Sequence, residues 1–295
     1  NLFMKIDSIT WLKKLPSSQL YLGGLAVALA VFHLILSGKV VSDIDRAIVS
    51  VLFWTAIICL LWRKRDELNL DSDIFSSFVG SILLGLILVK SLNLFWFESS
   101  FLKIVPFCLS LSFGLLASGF RGLKQYWREF ILIMLLSLPD LYLETAINKY
   151  LPISILTAKN ASFMLWYLGF DVVRNGVQVI LPNGAVEVFH PCTGTASIIL
   201  LFKLTIVFLL VFPTNKIQKF LLPLVSIGIG FLGGVIRVAV MALVVSNEQA
   251  FEYWHGHQGA SIFSTISIVL FGIICQYLLQ QNLRDNAKSQ EVESL

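Results

Sequence analysis

Charge is scarce in this chain. Of 295 residues only 14% are Asp, Glu, Lys or Arg, while 57% are hydrophobic and the mean hydropathy is +0.81. Soluble domains average about 25% charged and about 45–50% apolar residues, so a soluble protein with a large core is excluded. Cysteine is also sparse: four residues, with no C-x-x-C pair, exclude a disulfide scaffold. The four histidines include no H-E-x-x-H, and 8 Pro with 19 Gly are too few for a collagen-like or low-complexity chain. A net charge of +4 is too small to mark a nucleic-acid partner.

What the chain has instead is long apolar runs. A helix needs about 20 mostly apolar residues to cross a bilayer core. Suitable runs lie at 20–38, 47–62, 74–89, 104–120, 130–148, 195–212, 220–246 and 259–280. The expected fold is therefore all-α: a polytopic helical membrane protein with about eight transmembrane helices. Lys13 and Lys14, Arg63 to Arg65, Arg121, Lys124 and Arg128, Lys216 and Lys219, and Arg284 and Lys288 all fall on one side if the spans alternate. By the positive-inside bias that side is cytoplasmic, with both termini there. The opposite loops hold Lys39, Asp43, Asp45 and Arg46, then Glu98 and Lys103, then Glu248 and Glu252. The first run reads as an uncleaved span, because Ala26, Ala28 and Ala30 lie inside its apolar stretch rather than after it. The chain opens on Asn1, so a longer N-terminus is expected. The expected organisation is a cytoplasmic segment 1–19, a membrane domain 20–283 and a cytoplasmic tail 284–295 that is disordered.

One loop is long. Residues 149–191 lie on the outer side and divide in two. Residues 154–168 read as an interfacial amphipathic helix with Phe163, Trp166 and Tyr167 at headgroup level. The remainder reads as a small β-meander, its strands at 172–173, 177–181 and 185–189. They are separated by Asn175-Gly176 and by Pro182-Asn183-Gly184. The meander feeds directly into His190-Pro191-Cys192-Thr193-Gly194-Thr195 at the mouth of the sixth span.

Few residues can do chemistry. Cys59, Cys108 and Cys275 sit within apolar spans and read as small buried hydrophobes. Cys192 lies where a polar loop becomes a helix, and the partial positive charge of a helix N-terminus lowers a thiol pKa from about 8.5. Arg237 interrupts an otherwise uncharged run. Burying it in lipid costs roughly 2.5–3.5 kcal/mol, so it should face the bundle interior or a wet cavity. A structural ion pair with Asp140 or Glu144 is the alternative. Lys203 is a further buried cation that pairs with a carboxylate or shapes a polar cavity. His33 reads as a hydrogen-bonded packing residue and His190 as a surface residue. His255 and His257 occupy the loop before the eighth span, where an imidazole is wet and titratable. A thiol–imidazole pair is the minimum for cysteine nucleophilic catalysis.

Cys192-Thr193-Gly194, Gly234-Val235-Ile236-Arg237, and His255 with Gly259 four residues later resemble the Cys/Arg/His motifs of the exosortase/archaeosortase family. The Tyr253-Trp254-His255 wording and the long segment before Cys192 are most similar to the cyanobacterial branch, cyanoexosortase A. The family usually has Asn three residues before its arginine, where this chain has Gly234.

The resemblance implies a membrane-embedded cysteine protease or transpeptidase at the outer face of a bacterial cytoplasmic membrane. Its partners would be exported proteins with a PEP-CTERM-type C-terminal sorting signal, together with membrane lipids and a glycolipid or polysaccharide acceptor. Cys192 would be the nucleophile, Arg237 the stabiliser of oxyanion or thiolate, and His255 the acid/base, with His257 as alternative. No cofactor and no metal are expected. Rival readings are a transporter or channel lined by Arg237, Lys203 and Asp140, a zinc protease using His190, His255 and His257, and a non-catalytic assembly factor of the same fold.

Overall fold

The structure is a computed structural model that describes residues 17–40, 44–92 and 99–293. Lys13, Lys14, Asp43 and Glu98 of the expected loops lie outside them. The chain forms two compact units that divide between Leu138 and Pro139.

The first unit is a helical bundle. Its helices are α1 (Ser17–Val40), α2 (Ile44–Arg63), α3 (Ile74–Leu92), α4 (Ser99–Gly122) and, after a 3-10 turn at Leu123–Tyr126, α5 (Trp127–Ser137). Leu29, Ile87, Val105, Leu109 and Phe113 form a core between α1, α3 and α4. His33 packs as expected, 5% exposed, with the Trp54 indole donating to its Nδ1 at 3.0 Å. Asp73 caps α3 by accepting from the Ser76 amide at 3.1 Å. Ser76 Oγ in turn accepts from the Phe120 amide at 3.1 Å, a donor released where α4 kinks. The kink is at Gly119, whose φ of 63° only glycine adopts cheaply.

The second unit starts with α6 (Asp140–Tyr150) and α7 (Ile153–Tyr167). A three-stranded antiparallel meander comes next, with β1 at Val173–Asn175, β2 at Gln178–Leu181 and β3 at Gly184–Glu187. Gly176, at φ 60°, turns the chain between β1 and β2, and Pro182-Asn183 turns it between β2 and β3. A 3-10 turn at His190–Cys192 leads into α8 (Thr195–Val211), α9 (Lys216–Leu243), α10 (Glu248–His255) and α11 (His257–Glu293). An Asn215–Gln218 capping box starts α9, each side chain bonding the other's amide at 2.8 and 3.1 Å.

Several expectations change here. The run 130–148 is not one helix. Leu138 is extended (φ −69°, ψ 123°), as a residue before proline prefers, and Pro139 has no N–H with which to continue the ladder. Among the described residues four stretches are long and apolar enough to span: Ile74–Ser91, Lys103–Ser137, Lys216–Leu243 and His257–Arg284. Ala26–Ile35, Ala47–Arg63 and Thr195–Val211 are apolar but shorter. The tail beyond Arg284 is helical as far as Glu293, because no Gly or Pro there stops α11. Residues 154–168 form a helix as expected, over Ile153–Tyr167. Thr157, Ala158, Ala161, Ser162 and Leu165 face inward, while Phe163, Trp166 and Tyr167 are exposed. Cys275 is buried as expected, Cys108 is half-buried and Cys59 is exposed.

Candidate functional site

The site begins with a core that the meander, α7 and α9 build together. Val179, Val186 and Val188 turn inward from the sheet segment against Ala158, Ala161 and Leu165 of α7 and Val235, Val238 and Met241 of α9. Cys192 belongs to this cluster and is 2% exposed. The turn that carries it is closed by the Cys192 amide donating to Phe189 O at 2.9 Å.

Hydroxyls fix the chain on the C-terminal side of Cys192. Thr193 Oγ1 donates to His190 O at 2.7 Å and lies 2.6 Å from Thr195 Oγ1. Thr195 also donates to Asn148 Oδ1 of α6 at 3.2 Å, and Thr157 of α7 reaches Thr193 O at 3.4 Å. Sequence reading missed this network because its partners lie 36 and 47 residues apart.

Backbone packs on backbone beside the turn. Gly194 has φ 79°, and a Cβ there would lie 2.6 Å from Gly230 O. A Cβ on Gly234 would lie 2.5 Å from Thr193 O. The Gly230-x3-Gly234 spacing, a known signal for close helix approach, was present to be read. In this chain the absent asparagine therefore has a steric reason: no side chain fits at 234 while the Cys192 turn stands where it does.

Arg237 lies one turn further along α9 and is 8% exposed. Its Nε donates to Trp254 O at 3.1 Å, NH2 to His255 O at 2.6 Å and NH1 to Pro191 O at 3.2 Å. Trp254 and His255 end α10, so the guanidinium satisfies terminal carbonyls at the negative end of that helix. Asp140 is taken instead by Lys203, Nζ to Oδ1 at 2.5 Å. The alternative of an ion pair between Arg237 and Asp140 is not formed, and the observed partners of the guanidinium are backbone carbonyls on both sides of the site.

His255 is the last residue of α10 and His257 the first of α11, with an extended Gly256 between them. Both imidazoles are exposed. The His255 ring stacks on Phe251, centroids 5.5 Å apart and planes within 8°. Gly259 is buried beneath α10: a Cβ there would meet Trp254 Cα at 2.5 Å and Tyr253 O at 2.8 Å. His190 is exposed, its Nδ1 3.5 Å from Ser154 Oγ. The structure thus joins Arg237 to the backbone at Pro191 and His255. Among the described residues the Cys192 thiol and the His255 ring share no hydrogen bond, and no three His, Cys, Asp or Glu gather to hold a metal ion.

Burial pushes the Cys192 thiol pKa up, and the positive charge of Arg237 offsets only part of the rise. The lowering expected from the helix N-terminus does not prevail, because a buried sulfur loses its hydration on all sides.

The model of one family, transmembrane exosortase (Exosortase_EpsH), matches residues 43–272. The chain belongs to that family and is a multi-pass membrane protein. No curated protein and no solved structure matches it.

Proposed function

We propose that this exosortase-family chain is a cysteine protease or transpeptidase that cleaves PEP-CTERM-type C-terminal signals at the outer face of a bacterial inner membrane. The observation that carries the reading is the Arg237 guanidinium, which donates to the carbonyl just before Cys192 and to the carbonyl of His255. One buried cation thus holds the nucleophile's turn and the histidine's helix end in a fixed relation. The Tyr-Trp-His wording favours the cyanoexosortase A branch.

In the proposed reaction Cys192 Sγ gives its proton to His255 and attacks the substrate carbonyl, forming a C–S bond and an oxyanion. Collapse breaks the C–N bond, and the amine leaves with the proton from His255, giving a thioester. Water opens the thioester to a carboxylate, or an amine-bearing acceptor opens it to a new amide, and the thiol is restored. His255 must first leave its stack on Phe251. Arg237 contributes positive charge beside the sulfur and the geometry of the two loops. A substrate tethered by its own membrane helix needs only a small catalytic headpiece, because the tether raises its effective concentration.

The buried thiol, with no bond to an imidazole among the described residues, favours a second reading: a non-catalytic export factor that kept the fold. Co-expression with a candidate sorting-signal protein decides between them. Wild type should shorten and release the substrate, and Cys192→Ala should leave it full length. Equal processing by both would sink the protease reading.

A further inference from the structure

The meander has two outer strands, and β3 is the one that runs into the turn of Cys192. Its register sets Glu187 opposite Gln178, Val186 opposite Val179 and Ala185 opposite Ile180. The Val188 amide donates to Val177 O at 3.0 Å, which fixes the phase of the ladder. Antiparallel pairs alternate between hydrogen-bonded and non-bonded. Val186 and Val188 therefore direct their backbone groups at β2, while Ala185 and Glu187 direct theirs at the free edge. Both residues are exposed, and among the described residues nothing bonds their backbone on that side. The inward face is covered instead: Val186 and Val188 are buried, and a Cβ on Gly184 would lie 2.7 Å from Val245.

An unpaired edge is a template for another strand, and proteins commonly blunt one with prolines, charges or a bulge. The ladder of β3 is regular and Glu187 is its one charge. Cys192 lies five residues beyond Glu187, at most about 17 Å of backbone. Phe189, 58% exposed, stands between them on the same outer face as Ala185 and Glu187. The opposite edge, at β1, leads back to α7 and away from the cysteine. We propose that β3 takes an extended stretch of the substrate polypeptide as a fourth strand, bonded to the backbone of Ala185 and Glu187, with Phe189 offering a surface to its side chains. Main-chain pairing of this kind holds a peptide in one register and delivers its next residues to the Cys192 turn. The identity of the peptide rests on the protease reading.

The test reads binding apart from cleavage. The Cys192→Ala chain in lipid nanodiscs is titrated with a fluorescein-labelled synthetic peptide, copied from the stretch of the co-expressed sorting-signal protein just ahead of its membrane helix. N-methylation of the peptide backbone should weaken binding roughly fivefold at alternate residues and leave the residues between unaffected. Glu187→Pro removes one edge donor without touching the ladder to β2, and should weaken binding by at least about the same factor. Glu187→Ala keeps the amide and Arg174→Pro alters the far edge, so both should bind as the parent does. The N-methyl scan changes only the peptide, so it decides even where a variant is unstable. Alternating sensitivity without cleavage by the wild-type chain would end the protease reading and leave the strand site standing. No binding, equal loss at every N-methylated position, or parental binding by Glu187→Pro would overturn the proposal. So would a dimer of the chain that Glu187→Pro dissociates, which would give the edge to a second copy.

Discussion

Cys192 answers to two opposed influences, burial raising its thiol pKa and Arg237 lowering it, and burial is the stronger. A raised pKa means less thiolate at any given pH than a free cysteine carries. The iodoacetamide rate of Cys192, read against pH, should therefore have its midpoint above the ordinary value of about 8.5. Arg237→Gln removes the lowering influence of the guanidinium and should move it higher still. A midpoint below that of free cysteine would show that the sulfur is not buried in solution. Gly234 allows a sharper comparison, because α9 carries its own control. Gly234→Asn must collide with Thr193 O and should abolish processing, whereas Gly228, with nothing within 4 Å of its Cβ position, should accept Ala with full processing. For the histidines, His255→Ala should lose processing by orders of magnitude and His257→Ala by no more than several-fold. The reverse result would move the proposed acid/base role to His257. They cannot be told apart by helical phase, since Gly256 places them on different helices.

At the scale of elements, α10 is the weak member of the site. It has eight residues, too few for a stable isolated helix, and none is fully buried, although Phe251 and Trp254 pack against the core that holds Cys192. Three local devices add to that packing: the Asn247 cap on the Ala250 amide at 3.1 Å, Arg237 at its C-terminal carbonyls, and Gly259 close beneath. Loss of such a cap costs about 1 kcal/mol. Asn247→Ala should therefore lower processing several-fold while leaving the Cys192 alkylation profile unchanged, because the cysteine turn is fixed by α7, α8 and α9 instead. A parallel change in both readouts would mean that α10 also supports the Cys192 turn. Pro139 shows why hydropathy alone misjudged an element. The run 130–148 is apolar enough to be read as one span, but the residue pair Leu138-Pro139 breaks it, a backbone rule that hydropathy does not include. The meander was readable for the opposite reason: Gly176 and Pro182-Asn183 are local turn chemistry.

For the whole molecule, apolar periods and punctuation gave the helices and the sheet, while the site's wiring was hidden. Cys192, Arg237 and His255 stood out as residue types in unusual surroundings. That Arg237 would bind carbonyls of Pro191, Trp254 and His255 depends on how α9 meets two loops, which no local pattern encodes. The expected topology has its own check within the second unit. In a background with Cys59, Cys108, Cys192 and Cys275 changed to Ser, a membrane-impermeant maleimide applied to intact cells should label Glu248→Cys and not Lys219→Cys. The opposite pattern would invert the proposed orientation. The final helix adds a mechanical consequence. At 37 residues α11 is about 55 Å long, whereas the hydrocarbon layer is about 30 Å thick. About 25 Å of unbroken rod must then stand clear of the lipid tails. Anything fused after Glu293 is carried on a stiff mast instead of a slack tether, its reach set by helical rise.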